Sequence, residues 1–442
     1  MSGKAFKKIL IIARDFPPYM GRGAVMRVLK FAKYLPEYGW QPFVLCEKKD
    51  TREDLSLTDD LPPEVRVIDV EVQTPQTRKA LYKKRLASDK TITLKRRVYY
   101  LLYRSLVYNV YAFCLNYLMA PDASLPWARK AVEMARTLHQ EHAFDAFMTS
   151  GPPFSAFRTG IVLKKAIQIP WILDFRDGWA GNPLYRIGRK WMIRCQSRIY
   201  EWRAVTHSDL LLFVTEPMLQ IYQDRYPGYR SKMHVLTNGF DPADFEERIP
   251  TSSSNEVLHL VYSGTISGRR SPALFFNAVA RALADHGEMK DRLRVTFLGK
   301  FHYPKDHIPS SVSGLVDVRG PLPHKTCLGE MAAADAFLLI INTAQGGRTL
   351  MSGKIYEYLA FQKPIFLISK TCAAVDLIRR LRAGYITHDS DEKQIADTLY
   401  RLYQDWKADR LTVHIPKDAL SKFDRKRLTG VLSEHLDGLS AG

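Results

Sequence analysis

Residues 251–270 read TSSSNEVLHLVYSGTISGRR, and the architecture can be read from their order. The run from Thr251 to Asn255 is small and polar, the composition of an interdomain linker. Leu258 to Ser263 is a short apolar strand, and Gly264-Thr265 closes it in a turn that leads to the basic pair Arg269-Arg270. A strand that starts afresh after a linker reads as the first strand of a second α/β unit. The same turn suits a phosphate. Glycine lets backbone approach a ligand, and arginine meets phosphate oxygens with two parallel N–H donors. Gly264, Thr265, Arg269 and Arg270 are therefore candidate binding residues, against the plainer reading of arginines exposed on a loop.

On either side of this stretch, strand-like and helix-like segments alternate. Before it, strands are expected at 8–13, 42–46, 66–70, 144–150, 171–175, 210–215 and 234–237, with a helix over 24–38 whose face is Val25, Val28, Leu29, Ala32 and Leu35. After it, strands are expected at 294–298, 315–318, 336–341 and 365–369, with helices at 272–284, 353–361 and 393–406 and one or two more over 418–439. Apolar strands alternating with helices imply parallel sheets buried on both faces. The fold class is α/β, two Rossmann-like domains. We expect an N-terminal domain over 1–250 and a C-terminal domain over 256–415. The helices of 416–442 would pack back on the N-terminal domain.

The chain has 442 residues, 46% hydrophobic and 25% charged, which excludes disorder as its main state and suits two or three domains. There are 65 Lys+Arg against 46 Asp+Glu, a formal net charge of +19, and a surface of that sign favours polyanions. Most of the excess is local. The stretch 78–97 holds nine basic residues and one acid, and 185–203 holds six and one. Between them, 98–120 is apolar or aromatic at 19 of 23 positions. That length spans a bilayer, but Arg104 and two asparagines lie inside it and soluble α/β elements flank it. A buried helical hairpin and an element lying at an anionic membrane surface are the two readings, the second drawing on the basic cluster and on tyrosines at headgroup level. The five cysteines are widely spaced and show no C-x-x-C, so free thiols in a reducing compartment are expected. The apolar run after the basic N-terminus is five residues long, too short for an export signal, and is read as a buried first strand.

Three further places bear chemistry. Gly21-Arg22-Gly23 follows the first strand and opens a helix, a weak phosphate signal because the full G-x-G-x-x-G fails at Met26. Ser352-Gly353-Lys354-Ile355-Tyr356-Glu357 opens another helix, and Lys354 and Glu357, three apart, share a face. They form either a surface ion pair or a site in which Lys354 meets a phosphate or sugar oxygen and Glu357 accepts hydrogen bonds from ribose hydroxyls. Asp389-Ser390-Asp391 has the spelling of a metal site, but it precedes a helix and is read as its cap.

The chain resembles the retaining GT-B glycosyltransferases of the large family that contains bacterial lipopolysaccharide and exopolysaccharide transferases (glycosyltransferase family 4-like). The likeness is carried, in order, by ILIIARDFPPYMGRGAVMRVLKFAKYLPEYGW (9–40), SGPPFSAF (150–157), IPWILDFRDGW (169–179), LTNGFDPADF (236–245), LVYSGTISGRR (260–270) and SGKIYEYLAFQKP (352–364). It implies a nucleotide-sugar donor held mainly by the second domain and a glycan or lipid-linked acceptor held by the first. Gly21 and Gly23 then match the loop near the donor diphosphate, Arg270 or Arg269 the basic residue after the second domain's first strand, and Lys354 and Glu357 the helix that holds phosphate and ribose. Two departures stand out. The family's paired glutamates, eight positions apart, leave Thr349 where the first would be. Its usual histidine after the strand 171–175 is Arg176, followed by Asp177. An arginine is no base at neutral pH, so Arg176 would bind phosphate or orient a sugar, while Asp177 or Asp174 would touch the acceptor hydroxyl.

The resemblance implies transfer with retention, no metal and no cofactor beyond the donor, in cell-surface polysaccharide synthesis at the cytoplasmic face of the membrane. A non-catalytic GT-B protein that binds a glycan or lipid is the alternative. No nucleic acid is expected as a partner, because no recognition motif is present and the basic clusters adjoin an apolar segment.

Overall fold

The computed structural model describes residues 6–19, 25–49, 56–72, 121–180, 191–245, 256–267, 271–341 and 347–440. The linker 251–255, the basic and aromatic stretch 78–120, Gly21, Gly23, Arg269 and Arg270 lie outside the described residues. Among the described residues, no helix is long and apolar enough to cross a membrane.

The first domain is a parallel sheet of seven strands: β1 (Lys7–Ile12), β2 (Trp40–Glu47), β3 (Arg66–Val70), β4 (Ala146–Gly151), β5 (Trp171–Phe175), β6 (Leu210–Phe213) and β7 (Met233–Val235). Their order across the sheet is β3-β2-β1-β4-β5-β6-β7. The second domain repeats the plan with β8 (Leu258–Ser263), β9 (Leu293–Leu298), β10 (Val316–Arg319), β11 (Ala336–Ile340), β12 (Ile365–Ile368) and β13 (Gly384–Thr387), in the order β10-β9-β8-β11-β12-β13. In both sheets the winding reverses beside the first strand, between β1 and β4 and between β8 and β11. The crevice beyond the carboxyl ends of the strands at such a reversal is where open α/β sheets bind ligands.

Each sheet is buried on both faces. Leu10, Phe147, Trp171 and Phe213 belong to one apolar cluster of the first domain, Ile9, Ile11, Val44 and Met148 to the other. Successive residues of β1 thus serve opposite faces, as the pleat requires. The helix that follows β1, α1 (Met26–Tyr34), is shorter than the expected 24–38. Pro36 cannot donate to the helical ladder, so the chain tightens into a 3-10 turn, Leu35–Tyr38, and Gly39 ends it at φ +81. The strand β13 was not anticipated; it is a short, half-exposed edge with little apolar signal.

After the second domain the chain returns to the first. The terminal helix Arg425–Ser440 places Leu428, Leu432 and Leu436, spaced four apart, in the same cluster as Ile9, Ile11 and Trp40. The return is fixed by a two-stranded clasp. The Phe240 N–H donates to the Phe423 carbonyl at 3.0 Å, and the Arg425 N–H donates to the Phe240 carbonyl at 2.9 Å. A Cβ on Gly239 would lie 2.0 Å from the Phe423 carbonyl oxygen. Beside the clasp, Lys30 of α1 donates to Asp241 at 2.5 Å and to Asp244 at 2.7 Å, and Tyr34 Oη donates to Asp241 at 2.5 Å. His324 of the second domain contacts Asp244 through Nε2 at 3.3 Å. The first domain, the crossover and the second domain therefore share one ionic network.

Two outcomes follow from this junction. Gly239→Ala should destabilise the protein by about 1–3 kcal/mol through overpacking, while Gly228→Ala, with open space around its Cβ, should leave the urea midpoint unmoved. Burial raises the Asp244 carboxyl, but the hydrogen bond to His324 and the charge of Lys30 outweigh it and bring its value down to about 2. A folded value below the unfolded ~3.9 gives stability that is present above about pH 4 and is lost as the pH falls toward 2, on the order of 2 kcal/mol. Asp244→Asn should cost roughly that much in urea unfolding at pH 6, and the gap to the parent should shrink as unfolding is repeated toward pH 2. A gap independent of pH would show that the network does not hold the carboxylate.

Candidate functional site

The two reversal points face each other across a cavity of about 290 Å³. From the first domain come α1, the turn after β4 and the residues after β5. From the second come the turn after β8 and the helix Lys354–Ala360. The crossover residues Asn238 to Asp241 and the head of the terminal helix close one side.

The sequence 174–177 splits between two surroundings. Asp174, the fourth residue of β5, is fully buried and points to α1. Arg27, itself 1% exposed, donates to both its carboxylate oxygens from Nε at 3.0 and 3.1 Å and pairs through Nη2 at 2.8 Å, and Ser150 Oγ donates at 2.7 Å. Arg27 Nη1 also donates to the Thr237 carbonyl at 2.7 Å. This closed ion pair ties β5, α1 and the end of β7 together, and it removes Asp174 as a contact for an acceptor hydroxyl. Arg176 and Asp177 lie beyond the strand end and line the cavity, half-buried. The Arg176 N–H donates to the Gly151 carbonyl at 2.9 Å, and its guanidinium donates to the Pro152 carbonyl. Its position is therefore set by the turn after β4.

Opposite them, Gly264 ends β8 at φ +132, a conformation L side chains rarely adopt. A Cβ there would lie 1.6 Å from Lys354 Nζ and 2.2 Å from its Cε. The lysine side chain thus runs directly over bare backbone, with its ammonium 4.7 Å from the centre of the Tyr262 ring. The turn is held from behind, where the Gly264 N–H donates to the Leu298 carbonyl at 2.6 Å. Gly299, at φ +128, has no room for a Cβ either, since it would meet the Gly264 carbonyl oxygen at 2.5 Å.

Lys354 and Glu357 are presented by the helix Lys354–Ala360. Its Ile355, Tyr356, Tyr358 and Leu359 are buried and anchor one face in the core. Tyr358 Oη accepts from the Ser263 N–H at 2.8 Å, which ties this helix to the end of β8. The opposite face carries Lys354 and Glu357 into the cavity, with Ser352 and Gly353 just before them. Of the remaining candidates, Thr265 is exposed and outside the cavity lining, and Thr349 lies in the 3-10 turn Gly347–Thr349, also outside it. Asp391 caps the helix Glu392–Lys407 by accepting from the Gln394 N–H at 2.9 Å. Among the described residues no three His, Cys, Asp or Glu side chains gather as a metal site.

Several lining residues escaped the sequence reading. Arg27, Lys30, Asp241 and His324 are lone polar positions in apolar or loop sequence, and nothing in their spacing marks them. Arg425 is 4% exposed at the head of the terminal helix and also lines the cavity. In the sequence it stands in Asp424-Arg425-Lys426-Arg427, a run of charges that reads as a solvated face.

No known family profile matches the sequence, and no curated protein does. Solved structures match over nearly the whole length. A sucrose-phosphate synthase from Thermosynechococcus elongatus aligns with a TM-score of 0.65 at 14% identity, covering 98% of this chain and 99% of that one. WaaG, a glycosyltransferase involved in lipopolysaccharide biosynthesis, aligns at 0.59 and 13% identity, covering 97% and 100%. An E. coli trehalose-6-phosphate protein bound with UDP-2-fluoro glucose aligns at 0.62 and 10% identity, covering 97% and 99%. The chain has the GT-B fold: two Rossmann-like domains whose strand ends face each other across a cleft.

Proposed function

We propose that this protein is a glycosyltransferase that moves a sugar from a nucleotide-diphosphate donor to a glycan or lipid-linked acceptor, with retention and without a metal. The observation that carries the reading is the contact of Lys354 with Gly264. An ammonium laid over backbone that admits no Cβ, at the winding reversal of the second sheet, forms a site for phosphate oxygens. Arg176 and Asp177 stand across the cleft from it, where a sugar and its acceptor would lie. The likeness to a structure bound with UDP-2-fluoro glucose supports the same class of donor.

In this reading Lys354, with Arg269 or Arg270, offsets the negative charge that grows on the departing diphosphate. Glu357 accepts hydrogen bonds from the ribose hydroxyls. Arg176 orients the transferred sugar or its phosphate, and Asp177 contacts the acceptor hydroxyl. The anomeric C–O bond to phosphate breaks as the acceptor oxygen attacks from the same face, and the hydroxyl proton passes to the leaving phosphate oxygen. Glu357 and Lys354 keep donor geometry fixed during this step, and closure of the cleft excludes the water that would hydrolyse the donor. The acceptor is lipid-linked or anionic, drawn by the basic stretch 78–97 to the cytoplasmic face of a membrane, in cell-surface polysaccharide synthesis.

A thermal-shift panel of UDP, GDP, ADP and TDP sugars tests the donor site. One nucleotide class should stabilise the protein, and Lys354→Ala and Glu357→Ala should each reduce that shift by weakening binding on the order of tenfold or more. Gly264→Ala should do the same by displacing Lys354. No shift on folded protein with any donor would overturn the reading, and binding without turnover over a broad acceptor panel would favour a non-catalytic glycan or lipid binder. For the membrane, replacing Lys83, Lys84 and Arg85 with Glu should weaken sedimentation with anionic vesicles at low salt, and unchanged sedimentation would refute that part.

A further inference from the structure

Arg425 breaks three rules of stability at once. It is 4% exposed, and its Nη1 is buried with no hydrogen-bond partner among the described residues. It opens the helix Arg425–Ser440, so its charge stands at the positive end of the helix dipole, where the capping Asp424 accepts from the Lys426 N–H at 2.7 Å. It also feels the charge of Arg27, whose own guanidinium is already committed to Asp174. Burial first, and then the charge of Arg27, pull its value down to about 9, with Tyr356, Glu357 and Asp174 offsetting part of that. It remains a cation at neutral pH. Among the described residues no ion pair within 4 Å relieves it, whereas Lys30 and Arg27, which line the same cleft, are each paired with aspartates. A buried, uncompensated charge is strongly destabilising, and departures of this kind concentrate at functional sites.

We propose that Arg425 binds a phosphate group of the ligand that fills the cleft, which makes the terminal helix part of the binding site. The guanidinium lines the cavity beside Glu357, and the planar fork of an arginine matches two phosphate oxygens. The identity of the ligand rests on the reading above, but the need for an anion does not. The missing partner is supplied on binding, and the helix that brings it is fixed to the domain junction by the Arg425 N–H to Phe240 carbonyl bond.

The test compares the full-length protein with Arg425→Met by calorimetry and thermal melting, using pyrophosphate, nucleoside diphosphates, the parent nucleosides and glucose 6-phosphate. The parent should bind a phosphate-bearing probe, and Arg425→Met should bind it at least about tenfold more weakly, with any nucleoside affinity unchanged. Without ligand Arg425→Met should melt no lower than the parent, because an unpaired buried cation has been removed; a structural arginine would show the reverse. Loss confined to diphosphates assigns the donor phosphate, and loss confined to glucose 6-phosphate assigns an acceptor phosphate. Unchanged affinity for every anion, or no anion binding by the parent, overturns the proposal. If the parent binds nucleoside diphosphates and the variant binds them equally, only the role of Arg425 falls. If pyrophosphate binds and depends on Arg425 while no nucleotide binds, the nucleotide reading falls instead. Should Arg425→Met fail to fold, Arg425→Lys, which keeps the charge but not the fork, is judged by the same affinities.

Discussion

The close approach of Gly239-Phe240 to Phe423-Asp424-Arg425 sets how the rest of the molecule is arranged. The chain passes between its domains twice, and both passages meet here, joined by two backbone hydrogen bonds and by a contact that leaves no room for a Cβ. Neither sheet dictates where the other lies, because each is complete, with a core on both faces. The clasp supplies that information. It holds the carboxyl ends of β1 and β4 opposite those of β8 and β11, and two half-sites become one cavity.

The ionic groups around the clasp divide by role. Arg27 with Asp174, and Lys30 with Asp241 and Asp244, are closed sets in which each charge has its counter-charge within 3 Å. Such sets add little net stability over apolar packing, yet removing one member is costly because the other is left buried alone. Their effect is to fix geometry: Arg27 ties the end of β7 to β5, and Lys30 ties α1 to the crossover. Lys354 is positioned differently, by the absence of a side chain at Gly264 beneath it.

Much of the fold is legible in the sequence, and the reason is visible in particular strands. Trp171–Phe175 and Leu258–Ser263 are central strands buried on both faces, so their apolar runs coincide with their true bounds. β2 starts at Trp40, two residues before the expected Pro42, because its pairing with β1 begins there, Lys7 beside Trp40, although pairing with β3 begins only at Phe43. Lys354 and Glu357 were legible because their spacing by three and the buried residues between them already describe one helical face. Asp174 and Arg176 were not separable, since their neighbourhood in sequence says nothing of which one the strand turns inward. The partnership of Arg27 with Asp174 spans 147 positions, and the place of Arg425 depends on a return crossing that no local pattern encodes.

In the cleft, Arg27 and Lys30, each paired with aspartate, both belong to α1, inside the first domain. Of the other basic groups that line the cleft, Arg176 comes from the first domain, Lys354 from the second, and Arg425 from the helix that returns between them. The carboxylates of Asp177 and Glu357 line the same cavity, so each wall carries both signs of charge. A phosphate held between the walls would contact groups carried by both domains, and its charge would then help to hold them together. A transfer reaction that must exclude water once its substrate has entered gains from such a coupling.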